Sequence, residues 1–207
     1  MRTSAGWIAS AAAAVLVAAG AITYAVAADD GGSGGSVPAA DSADAGFARD
    51  MAVHHQQAVE MAYIVRDRTT DEEVRRLAYD IAQTQANQRG MLLGWLDLWG
   101  LPKVSSDAPM TWMGMGDMAD GKDGALMPGM ATDTELKKLG TLNGRRAEVF
   151  FLQLMTAHHK GGIHMAEGCV AQCTVGVEKR LAQGMVDAQK SEIALMADML
   201  KARGAKA

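Results

Sequence analysis

Apolar residues recur at three- and four-residue steps along most of this chain, so the pattern predicts helices. Between Asp41 and Trp99, Phe47, Met51, His54, Ala58, Met61 and Val65 fall on one helical face. Ser42 or Asp44 is placed to cap that helix. The period breaks near Thr69-Thr70, where Thr70 and Glu73 resemble a capping box. A second helix carries Val74, Leu77, Ile81, Met91/Leu92 and Trp95 and stops at Gly100-Leu101-Pro102. Residues 102–132 read as loop. A third helix is expected from about Asp133 to Cys169, capped by Thr132 or Thr134, with Gly140 and Gly144 weakening its first turns. A fourth runs from about Val175 to Arg203.

These helices repeat. A shift of 104 residues lays Phe47 on Phe151, Met51 on Met155, His54-His55 on His158-His159 and Met61-Ala62 on Met165-Ala166. Without a gap, Arg76-Leu77-Ala78 falls on Arg180-Leu181-Ala182, Gln85 on Gln189 and Leu96 on Leu200, with Gln88 against Glu192. Each half (44–100 and 148–204) is a helical hairpin that cannot bury its apolar stripe alone. The expected fold is therefore all-α, a four-helix bundle made of two hairpins, with 102–132 as its long central crossover.

The N-terminal region has a different character. Trp7 to Val26 is uncharged and rich in Ala and Val, preceded only by Arg2, so residues 1–28 read as a signal peptide or a retained membrane anchor. Both place the rest outside the cytoplasm. Residues 29–40, including the Gly/Ser run after Asp30, form a linker, and 41–207 the helical domain. A net charge of −4 and the lack of a basic block argue against nucleic acid as a partner and confine membrane contact to residues 7–26.

The candidate chemistry is soft-metal binding. Met51, His54, His55 and Met61, and their mates Met155, His158, His159 and Met165, place imidazole and thioether on adjoining helical positions. Thioethers favour Cu(I), and imidazole accepts either copper state, so copper is the expected ion, Cu(I) ahead of Cu(II). Adjacent histidines point about 100° apart on a helix, so one of each pair is expected in the core and the other at its rim. His164, aligned with Glu60, is expected at the surface. Met110, Met113, Met115, Met118, Met127 and Met130 crowd the central loop, where no helical core explains them. They read either as soft-metal ligands or as gap fillers over the bundle. Cys169 and Cys173 flank the last turn and can join only if the backbone there leaves helical geometry.

Enzyme signatures are missing. Glu60 and Glu167 are followed three residues later by Tyr63 and Val170, not by the His of a di-iron bundle, and no nucleophile elbow, phosphate loop or zinc-protease helix is present. Binding is thus expected over turnover, with a metal-independent interaction bundle and a metal-dependent redox enzyme as alternatives. The segment Met127-Pro128-Gly129-Met130 followed by Phe150-Phe151-Leu152-Gln153-Leu154-Met155-Thr156-Ala157-His158-His159-Lys160-Gly161-Gly162-Ile163-His164-Met165-Ala166-Glu167, echoed by Met51-Ala52-Val53-His54-His55, resembles the domain-of-unknown-function family 305. The resemblance covers roughly residues 44–202. It implies an exported, ferritin-like helical bundle linked to copper, with its motif on Met155, His158, His159, Met165 and their repeat partners. Delivery of copper would make a copper-donor or acceptor protein the expected partner. Gly161-Gly162 and Gln88 depart from the family pattern, which has Ala and Glu there.

Overall fold

The computed structural model describes residues 37–116 and 122–206. The signal or anchor segment 1–28, most of the linker, and Met118 lie outside them. The described chain is all-α and contains no strand. Its α-helices are α1 (Ala43–Arg66), α2 (Glu72–Leu98), α3 (Asp133–Thr141), α4 (Arg145–Gln172) and α5 (Gly176–Ala202). α1 pairs with α2, α4 with α5, and α1 also packs on α4.

Two expectations need correction. The third helix is two helices: α3 stops at Thr141, and Gly144, at φ +53°, lets the chain turn before α4 starts. The cap of α2 is Asp71, whose carboxylate accepts from Val74 N, rather than Thr70; one residue brings the stronger acceptor into place. The central loop, a loop as expected, holds a 3-10 turn at Thr111–Met113. Elsewhere Ser42 caps α1, and Thr132 with Glu135 makes a capping box at α3.

The repeat organises the interior. Phe47, Met51, Met165, Ala166, Leu92, Leu96, Ala182 and Met185 belong to one buried cluster. Their mates at a shift of 104 residues, Phe151, Met155, Met61, Ala62, Met196, Leu200, Ala78 and Ile81, belong to the other. Two clusters that exchange under the repeat are what a two-fold axis between antiparallel α1 and α4 produces. The axis passes where repeat mates meet, and His54 meets His158.

Both ends are tied by the same device. Asp44, at the start of α1, accepts from Thr174 N, Thr174 Oγ1 and Val175 N in the α4–α5 turn. Its mate Glu148, at the start of α4, accepts from Thr69 Oγ1 in the α1–α2 turn and from Arg203, which also reaches Asp71 at 2.8 Å. Each hairpin thus holds the turn of the other through charge-assisted hydrogen bonds. The halves differ at Glu178, wholly buried where the first half has Val74.

Candidate metal centre

All four paired histidines are buried, none more than 1% exposed. This corrects the expectation that one of each pair would reach the rim. A helix in this arrangement has two neighbours, so positions 100° apart both face protein. His54 and His158 point at each other across the α1–α4 contact, ring centroids 3.7 Å apart and planes inclined by 32°. His55 turns towards α2 and meets Gln88 Oε1 at 2.9 Å; His159 turns towards α5 and meets Glu192 Oε2 at 2.6 Å.

These contacts assign the protons. His158 Nε2–H donates to the His54 carbonyl at 3.0 Å, and His55 and His159 use Nε2 in the same way towards their side-chain acceptors. The acceptors hold the proton on Nε2 and leave the Nδ1 lone pair free. All four Nδ1 atoms are buried and have no partner of hydrogen-bond geometry within the described protein; nor has His54 Nε2, although the Pro128 backbone lies close to the His54 ring. Burial holds His54, His55 and His158 neutral. It pushes His54 and His55 down to about 3, with neighbouring histidines adding to the effect, and His158 well below the ordinary value. Buried polar atoms normally find partners, so a layer of unpartnered lone pairs is unusual.

Among the described residues, the only trio of His, Cys, Asp or Glu donor atoms within 4.8 Å of one another is Cys169, Cys173 and Glu178. Those sulfurs are joined in a disulfide and are not thiolates. Cys173 adopts an extended conformation (ψ 150°) at the end of α4, so the four-residue spacing closes outside helical geometry. No three of the paired histidines therefore bring ring nitrogens within 4.8 Å of one another: His54 and His158 stack face to face, and His55 and His159 turn towards α2 and α5.

Thioethers flank the layer on both sides. Met51, Met165, Met110 and Met127 are buried in one cluster and Met61 and Met155 in the other, while Met113, Met115 and Met130 are partly buried against the first. Met127-Pro128-Gly129-Met130 forms a strap over the dyad. Gln57 grips it, donating to Ala131 O and accepting from Ala131 N at 2.8 and 2.7 Å. The repeat mate of Gln57 is Gly161, where an added Cβ would lie 1.9 Å from Pro128 O. Gly129, at φ +82°, approaches α4 equally closely, its would-be Cβ 2.5 Å from Ala157 O. On the opposite side a cleft of about 10 Å³ is lined by Gln85, Gln88, Gln189 and Glu192, among others.

The sequence pointed to the histidines and methionines but not to Gln57, to Glu178, or to the buried Gln85 and Gln189, whose Oε1 atoms lack partners. The repeat contained a signal for the last two, since Gln85 falls on Gln189 at core positions. His164 is exposed, as expected, and its Nε2 lies 3.3 Å from Met115 Sδ.

Fold and centre together define an all-α protein with a dyad-centred, buried imidazole layer. The chain belongs to the DUF305 family, a domain of unknown function whose profile matches residues 44–200. A DUF305 protein of Streptomyces coelicolor, assigned as secreted, shares 77% identity over 81% of this chain and 98% of its own, with a TM-score of 0.76. A DUF305 fragment from Deinococcus radiodurans shares 30% identity over 76% of this chain and 94% of its own, with a TM-score of 0.62. CopM in its Cu(I)-bound form has the same fold at 22% identity, with a TM-score of 0.59 over 76% of this chain and 95% of CopM; CopM has also been solved with silver and with Cu(II). No curated protein matches the chain. No helix among the described residues is long and apolar enough to cross a membrane.

Proposed function

We propose that this protein binds copper outside the cytoplasm, holding Cu(I) in the histidine layer of a ferritin-like four-helix bundle made by α1, α2, α4 and α5. The observation that carries the reading is the set of four buried Nδ1 atoms with no partner, with His54, His55 and His158 held neutral by burial. A metal ion must compete with protons for imidazole, and pushing His54 and His55 down to about 3 removes that competition at neutral pH. The Nε2 partners Gln88 and Glu192 orient two of the rings, as outer hydrogen-bond partners do around bound metals. The Met clusters on either side favour the monovalent, softer ion.

Copper- and silver-bound CopM shares the fold, and the Streptomyces protein is assigned as secreted; both support the reading. In it, residues 1–28 direct export or anchor the chain, 41–207 form the binding domain, and the Met-rich loop adds weaker thioether contacts. A closed core presenting soft ligands suits sequestration, delivery to an acceptor protein, or resistance better than turnover. The test is a Cu(I) titration of the full chain against a competing chelator, beside a variant with His54, His55, His158 and His159 all changed to Ala. Loss of tight binding in the variant, with helicity retained by circular dichroism, is expected. Equal binding by both would move the site to the Met-rich loop, and no binding by either would sink the copper reading.

A further inference from the structure

The central loop places thioethers against α4 outside the histidine layer. Along one face of α4, Gly161 meets Pro128, His164 meets Met115, and Gly168 meets Met113 and Trp112. An added Cβ at Gly168 would lie 2.5 Å from Met113 Cε and 2.8 Å from its Sδ, so the missing side chain is what admits Met113. The loop is held in place from α1. Asp50 Oδ2 accepts from Met110 N at 2.8 Å and from Trp112 Nε1 at 2.9 Å, and Trp112 packs edge-on against Phe47 with centroids 5.9 Å apart.

We propose that His164 and Met115, with Met113 beside them, form a second, solvent-accessible site for a soft monovalent cation, Cu(I) or Ag(I). His164 Nε2 and Met115 Sδ are 3.3 Å apart. That gap is short enough for one ion to contact both donors. Without metal, the ring N–H donates to the thioether; the other tautomer frees the Nε2 lone pair for coordination. The donors are soft, and the next acidic side chain along the helix, Glu167, is engaged by Lys190 at 3.0 Å. The site has no mate in the first half, where Glu60 replaces His164.

His164 is six residues from His158, about 9 Å along the helix axis. Six residues also turn His164 about 120° round the helix from His158, so the outer site is separate from the layer. Binding at His164 does not rest on the copper reading of the histidine layer.

The experiment is an Ag(I) titration of the full chain carrying [methyl-13C]methionine, with silver stoichiometry followed in parallel, for wild type, His164→Ala and the His54→Leu/His158→Leu pair. Ag(I) is expected to shift the Met115 methyl and the His164 ring resonances. His164→Ala should abolish the Met115 shift and bind one ion fewer, with helicity unchanged. The Leu pair should keep the Met115 shift while losing core binding. A Met115 methyl that ignores Ag(I), or that shifts equally in His164→Ala, would overturn the outer site. So would loss of its response in a folded Leu pair. A Leu pair with undiminished stoichiometry would instead overturn the core reading and leave the outer site standing.

Discussion

His54 and His158, equivalent residues of the two halves, stack on one another at the internal dyad with ring centroids 3.7 Å apart. Only one of their four ring nitrogens, His158 Nε2, makes a hydrogen bond, to the backbone of its mate. A pair selected for packing alone would be better served by apolar side chains of similar size. Each buried polar atom left unpartnered costs about 1–3 kcal/mol. The double change His54→Leu/His158→Leu is therefore expected to leave the metal-free protein as stable or up to a few kcal/mol more stable, while removing tight Cu(I) binding. Chemical denaturation and chelator competition on the same preparation check both halves. A clear loss of stability would show that the stacked rings are structural.

The two outer histidines differ in one atom's chemistry. His55 faces the amide of Gln88, and His159 the carboxylate of Glu192 at 2.6 Å. A carboxylate partner makes imidazole a better donor than an amide does. Glu192→Gln is expected to weaken Cu(I) binding by roughly 10–100-fold, and Gln88→Glu to strengthen it, with little change in thermal stability for either. Competition titrations of the two variants should move in opposite directions. Movement in the same direction would mean the outer pair does not contribute to the site.

Stability should respond to pH from both sides. His54 and His55 titrate near 3 in the folded chain against an ordinary 6.5, so the unfolded chain binds more protons between those values. Their contribution is complete above about 6.5 and is lost as pH falls towards 3. Glu178 behaves oppositely. Burial first, then the adjacent Asp44, pushes it up to about 9 from 4.5, so its contribution is present below 4.5 and lost as pH rises towards 9. Midpoints of urea unfolding should thus peak near neutrality. Glu178→Val, which copies Val74 of the first half, should flatten the alkaline limb and leave the acid limb as it was.

The helices and the repeat were legible because helical periodicity and a gapless 104-residue register are local properties of the chain. The burial of all four histidines was not. The 100° argument assumed one buried face per helix, whereas α1 packs on both α2 and α4 and so buries His54 and His55 on different sides. Asp71 displaced Thr70 as a cap because adjacent candidates differ by a single residue of register. Glu178 escaped notice although its mate Val74 marks a core position; periodicity on one strip of sequence does not flag a charge in such a slot. The strap could not be placed at all, since a loop's sequence does not name the face it crosses. Only the Gln57 and Gly161 contacts put it over the dyad.

That placement gives Gly161 a definite role. An alanine there would set its Cβ 1.9 Å from Pro128 O, with Gly129 Cα only 3.1 Å away, and the obstruction is backbone rather than a side chain that can turn aside. Helix propensity alone would make Gly161→Ala stabilising by about 1 kcal/mol. The clash should reverse the sign, for a net loss of about 1–3 kcal/mol as the strap lifts from α4. Because Gln57 still grips Ala131, the lift should be confined to Met127–Met130, and amide exchange there should rise without a matching rise at Ala131. With Pro128 displaced, the His54 edge of the layer opens, so Cu(I) should both enter and leave faster in stopped-flow exchange with a chelator. If Gly161→Ala instead raises the melting temperature and leaves exchange unchanged, the strap does not lie against α4 in solution, and its part in closing the histidine layer falls with it.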